Sequence, residues 1–273
     1  MRRETSFWNI GETEKKYTIL RDKFIINNLG KKLYRIQALT DFNDVKAGDL
    51  GGFVEGYHNL SQGGYSWIYG IAQVFDKANI HGDAFIICNP NDFGITQIYE
   101  NARIGLCATV GNGVKISGEV YVSGYSNIYG NVIIKNNVLI DDKVYILNNN
   151  LNIPTEISGN AKLCGSAHIL GSPIIKDFAS VNGFALITDK VVVKDKAKIA
   201  YFATIGGNAV IRGTAKIGGQ MTLVGDMNIS RGTINEEKDL RLHNFAVNLK
   251  RKISGDETNP TTTNESPNEI LTR

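Results

Sequence analysis

From Trp67 to Ser230 an aliphatic residue returns at almost every sixth position. The first register runs Ile68, Val74, Ile80, Ile86, breaks at Asp92, and continues through Ile98, Ile104, Val110, Ile116, Val122, Ile128, Ile134 and Ile140 to Ile146. After a one-residue slip near Pro154 it resumes at Ile157 and holds through Leu163, Ile169 and Ile175 to Ile229. Two residues before most of these positions stands Ala or Val, as at Ala72, Ala102, Ala161 and Ala197. Two residues after stands a turn former, as at Gly70, Gly124, Gly165 and Gly183.

A period of six belongs neither to a helix nor to one long strand. It fits short strands joined by two-residue corners. The aliphatic residue and the small one before it point inward, and their neighbours point outward. Three strands close a triangle, so a coil takes about 18 residues, the hexapeptide β-helix pattern. About nine coils stacked at roughly 4.8 Å make a prism roughly 45 Å long. An ordinary β-sandwich would not hold phase over this length. Cys88–Thr96 keeps the phase and reads as an irregular or looped-out hexad. Leu147–Pro154 reads as a coil short by one residue.

The ends fall outside the period. Residues 1–66 read as an N-terminal cap, with Tyr17–Ile26 and Lys32–Leu39 forming a β-hairpin around Asn27–Lys31. Such a cap covers the open end of a solenoid that would otherwise add strands. Residues 67–234 form the repeat, 235–253 read as a C-terminal capping helix, and the polar run 254–273 reads as disordered.

The net charge of +3 does not call for nucleic acid. Three cysteines, Cys88, Cys107 and Cys164, are far apart and form no CxxC, which suggests reduced thiols in a cytoplasmic protein. No apolar run is long enough to span a membrane.

The stretch Leu33–Ala84, and within it ALTDFNDVKAGDLGGFVE, resembles the opening of YdcK-like hexapeptide-repeat proteins of bacteria and their phages. That resemblance implies an all-β, single-stranded left-handed parallel β-helix that is oligomeric. It brings no established chemistry. The wider left-handed β-helix class is rich in acyltransferases with acyl-CoA donors, an analogy at the level of fold alone.

On a triangular cross-section the register predicts three outer faces. One carries Trp67, Phe85, Arg103, Tyr121, Leu139, Glu156, Ile174, Val192, Val210 and Asn228, of which seven are apolar or aromatic. A strip of roughly 400 Å² is expected to have a purpose on a soluble monomer. Trp67, Phe85, Tyr121, Leu139, Ile174, Val192 and Val210 are therefore the expected homo-oligomer interface, with a trimer favoured. The next face is polar. Lys162, Lys198 and Lys216 line it, and Lys176, Lys194 and Arg212 stack along the adjoining corner, an anion-binding candidate that also reads as solvated charge.

Catalytic candidates are thin. His58 lies in the cap and His243 in the C-terminal appendage. His81 and His168 are expected on the third face, some five coils apart, too far to act together. Each is a candidate general base for acyl transfer, but an exposed structural histidine is the preferred reading. Metal binding is not expected from isolated histidines. Asp41, Asp44 and Asp49 match no calcium loop, and a turn in the cap is preferred. The expected function is an oligomeric scaffold or binding protein with no predicted cofactor. The alternatives are an acyl-CoA-dependent transferase with His81 or His168 as base, and anion or polyanion binding at the basic corner. A small-molecule ligand stays open.

Overall fold

The structure is a computed structural model that describes residues 15–87, 95–242 and 244. Three sheets of short strands enclose one core. The chain visits the first, second and third face in turn, then returns one coil higher. On the first face Gln97, Lys115 and Ile133 pair in succession. On the second Arg103, Tyr121 and Leu139 do so, and on the third Thr109, Asn127 and Tyr145. The step is eighteen residues, and every one of these pairings is parallel. This is a β-solenoid of about ten turns, as the period predicts.

The repeat folds this way because its inward positions are apolar and mutually stacked. Ile98, Ile116, Ile134, Ile157 and Ile175 are all fully buried, as are the smaller Ala102, Ala161, Ala179 and Ala197. Each buried aliphatic side chain contributes on the order of 1.5–3 kcal/mol. The corners are closed by the neighbouring coil. Lys194 N donates to Ile211 O at 3.0 Å and Lys196 N to Gly213 O at 2.9 Å. Asp142, Asp177, Asp189 and Asp195 occupy left-handed backbone at the corners, which a short polar side chain tolerates. Their carboxylates accept the N–H of a later corner, Gly165, Asp195, Gly207 and Gly213 respectively, at 2.8–3.1 Å.

Two insertions interrupt the step, both at the corner between the third and first faces. Phe85 pairs with Thr109, twenty-four residues on, and Tyr145 with His168, twenty-three residues on. Residues 88–94 lie outside the described residues. The second insertion is pinned by buried Asn148, whose amide donates to Asn131 O at 3.0 Å and Ile153 O at 2.8 Å. Leu147–Pro154 is therefore a coil with five residues added rather than one removed.

Neither insertion supplies a side of the triangle, so the assignment of residues to faces turns at each. The expected single apolar face is corrected accordingly. Trp67 and Phe85 lie on the third face, Tyr121 and Leu139 on the second, and Ile174, Val192 and Val210 on the first.

At the N-terminus, β1 (Tyr17–Ile26) and β2 (Lys32–Ala38) form an antiparallel hairpin. β2 pairs antiparallel with β3 (Leu50–Val54), and β3 pairs in parallel with the strand at Gln73–Val74. The stack thus begins at β3, before the period becomes visible, and Leu60 bridges to Ile80 on the second face. Gly51 and Gly52 allow this close approach. A Cβ on Gly51 would sit 2.6 Å from both Ile36 and Trp67, and one on Gly52 would sit 2.5 Å from the Ala72 carbonyl oxygen. Trp67 is sealed beneath Phe42 and Tyr17, with ring centroids 5.5 and 6.3 Å away.

The acidic run proves to be a clasp. Asp41 accepts from Ala47 N at 2.9 Å, Asp49 from Lys46 N at 2.8 Å, and Asp44 from the Tyr69 hydroxyl at 2.7 Å. At the other end residues 237–242 are helical, and Leu240 packs against the core. The expected polar tail, 254–273, lies outside the described residues.

Gly52→Ala, which must displace backbone, is expected to lower unfolding free energy by about 2 kcal/mol or more. Gly63→Ala, where a Cβ meets only the Ser61 hydroxyl at 3.8 Å, should stay within about 0.5 kcal/mol. Urea denaturation followed by circular dichroism measures both.

Candidate interaction surfaces

Outward residues alternate with the buried ones, so each face shows two columns. On the third face these columns are apolar over four successive coils, where Tyr129, Tyr145, Leu147, Leu170 and Leu186 are all half-buried. His168 lies among them with its ring edge-on to Tyr145, centroids 5.7 Å apart. A shallow depression of about 460 Å³ is lined here by Tyr125, Asn127, Lys143, Tyr145 and His168.

The corner joining the second and third faces carries a feature the sequence reading missed. Tyr125, Phe184, Tyr201 and Phe202 stand there 63, 59, 66 and 55% exposed. Phe184 and Phe202 lie one coil apart and stack face to face, centroids 5.0 Å apart and 3° from parallel. Tyr201 holds φ +61°, a left-handed conformation that costs a bulky residue roughly 1–2 kcal/mol. Most other coils place Gly or Asp at that position, as at Gly82, Gly124, Asp142, Gly165 and Gly183, and one places Leu106. In the sequence the signal is two phenylalanines eighteen residues apart at a corner position, outside the strand positions that the period picks out.

The first face carries the column Ile133, Glu156, Ile174, Val192 and Val210. Of the expected interface residues, Ile174, Val192 and Val210 thus remain together. Phe85 is half-buried and packs against Tyr69. Trp67, 1% exposed, is unavailable to any partner.

Lys176, Lys194 and Arg212 end successive first-face strands, and Lys198 and Lys216 pair across adjacent strands of the second face. Lys162 stands two coils from Lys198, with Ser180 between them. Arg212 Nε donates to Asn228 Oδ1 at 2.9 Å. Among the described residues none of these six cations forms a salt bridge.

The histidines are dispersed. His81 follows the second-face strand Asn79–Ile80, not the third face as expected, and its ring lies over Gly105. His168 is on the third face, and His58 is within 2.6 Å of Asp76 O in the cap. His243 and Cys88 lie outside the described residues. Cys107 and Cys164 are half-buried, and burial pushes the Cys164 thiol up. Among the described residues no group of His, Cys, Asp or Glu is arranged to hold a metal ion, and no histidine contacts a carboxylate. No described helix is long and apolar enough to cross a membrane. The chain matches no protein-family model and no curated protein sequence.

One buried titratable group ties the cap to the first coil. Lys16, 5% exposed, donates to the carbonyl oxygens of Gly64 and Ser66 at 3.2 and 2.9 Å. Burial lowers its pKa from 10.5 to about 8, against a smaller opposing pull from Asp83. Between those values the unfolded chain holds a proton that the folded chain lacks, so stability rises with pH. Burial raises the pKa of Tyr17 and Tyr69, so above their ordinary value near 10 the unfolded chain loses protons that the folded chain keeps, and stability falls. The urea midpoint should therefore climb from pH 8 to about 10 and decline beyond. In Lys16→Met the climb should vanish and the decline remain. An equal climb in both proteins would contradict the assignment to Lys16.

Proposed function

We propose that this protein is a non-catalytic scaffold that assembles as a ring of three, the aromatic corner of one copy resting on the third face of the next. The observation that carries this reading is the exposed Phe184, Tyr201 and Phe202 cluster beside an apolar sheet face. β-propensity accounts for aromatic residues on strands, but not for three exposed aromatics at a corner, nor for Tyr201 in a left-handed conformation that other coils mostly give to Gly.

Geometry supports closure. Three equal sides place a corner about 60° in azimuth from the centre of the adjoining face, and a cyclic trimer needs two contact directions about 60° apart. Phe184 lies in the same coil as Leu186 on the face it would meet in the neighbour, and Tyr201 and Phe202 lie one coil further, level with Thr204. The five coils from Tyr125 to Phe202 by one strand length make roughly 300 Å². A matching strip on the partner gives about 600 Å² per contact and about 1,800 Å² around the ring. The resemblance of Leu33–Ala84 to YdcK-like proteins also favours an oligomer, and with it a left-handed coil. Ile174, Val192 and Val210, centred on the face opposite this corner, stay outside the contact.

Sedimentation of the wild type should give three times the chain mass. Phe184→Glu with Phe202→Glu should give monomer with unchanged circular dichroism, and Val192→Glu with Val210→Glu should leave the trimer intact. A monomeric wild type, or a trimer broken only by the valine pair, would sink the reading.

A further inference from the structure

The edge between the first and second faces concentrates positive charge beyond what the net charge of +3 suggests. Lys176, Lys194 and Arg212 rise along one side of it in consecutive coils. Lys198 and Lys216 rise along the other side, in register with each other. Lys196 stands at the corner between the two columns, exposed. Three hydrogen-bonded coils bring these groups within roughly 10 Å along the axis, one cation or more per coil at steps of about 4.8 Å.

The two nearby carboxylates do not neutralise the edge by pairing with it. Asp177 accepts the Asp195 N–H at 3.1 Å and Asp195 accepts the Gly213 N–H at 2.8 Å, so both are engaged in holding the corner. Asn228 fixes Arg212 through Nε alone, leaving the terminal nitrogens of its guanidinium for a carboxylate. Like charges stacked at this spacing repel one another, and a ligand that supplies anions at the same spacing relieves that repulsion.

We infer that this edge binds a linear acidic polysaccharide carrying one carboxylate per sugar, laid along the solenoid axis. A straight chain of pyranose rings advances by close to one inter-strand spacing per sugar and turns successive carboxylates to different sides, so they reach the two cation columns flanking the edge in alternation. Single-stranded nucleic acid fits less well, because its binding sites interleave cations with aromatic platforms for successive bases. The basic edge offers Phe178 alone, while Phe184, Tyr201 and Phe202 stand on a different corner. In the proposed trimer this edge points away from the threefold axis, but the inference does not depend on that assembly.

The test is fluorescence anisotropy with labelled polygalacturonate at low salt. Wild type should bind, with affinity falling steeply as salt rises. Lys194→Gln, Lys198→Gln and Arg212→Gln combined should weaken binding at least tenfold with circular dichroism and sedimentation unchanged. Lys115→Gln with Lys190→Gln, one on the first face further down the stack and one at the edge between the third and first faces, should leave it unchanged, and monomeric galacturonate should not compete at equal sugar concentration. Equal binding by the triple variant and the wild type would overturn the inference. So would equal loss in the Lys115/Lys190 control, or tighter binding of a single-stranded or duplex DNA of matched charge.

Discussion

Everything in this molecule depends on one constraint: each coil must present the next with a matching row of backbone donors, backbone acceptors and inward side chains. Most backbone hydrogen bonds run between coils, as from Lys194 N to Ile211 O, and corner turns such as Ala197 N to Lys194 O add bonds within a coil. A coil removed from its neighbours would leave those groups unpaired, at a cost comparable to that of any buried orphan. The same constraint fixes the inward residues. Ile stands over Ile because the parallel pairing puts identical positions in contact. The corner carboxylates extend the scheme to side chains, since each capping Asp serves a later corner.

The core was legible in the sequence because this constraint repeats. Ile116 and Ile134 occupy equivalent sites, so the period gave their burial directly. Which face a residue occupies was less legible. The insertions add six and five residues, and both imitate a hexad closely enough to preserve or nearly preserve the phase. Val192 was accordingly grouped with Trp67, although the two lie on different faces, and His81 was placed with His168. Counting residues cannot distinguish a strand from a loop of the same length; pairing partners can. The first coil was hidden for a different reason. Gly51 and Gly52 stand where the repeat would carry larger residues, because Ile36 and Trp67 already fill that space.

The candidate surfaces divide along similar lines. The basic columns were visible because Lys176, Lys194 and Arg212 lie at the eighteen-residue step with no insertion among them. The aromatic corner was not, because corners are normally read as turns, where residue identity matters only for backbone conformation. Tyr201 departs from that rule, and its left-handed φ made the departure visible only in three dimensions. A triangular solenoid thus separates its surfaces by azimuth. Apolar, cationic and inserted elements occupy different edges of one prism and do not compete for space.

Both insertions fall at the same edge of the triangle, and their lengths differ by one residue. After each the chain rejoins the first face in correct register, Lys115 against Gln97 in one case and Ile174 against Glu156 in the other. Register is therefore set by the side chains that enter the core and not by the amount of chain between them. That edge behaves as a side port, where chain of arbitrary length can be spliced in without disturbing the ruler. Diversity can accumulate there while the repeat on either side stays unchanged.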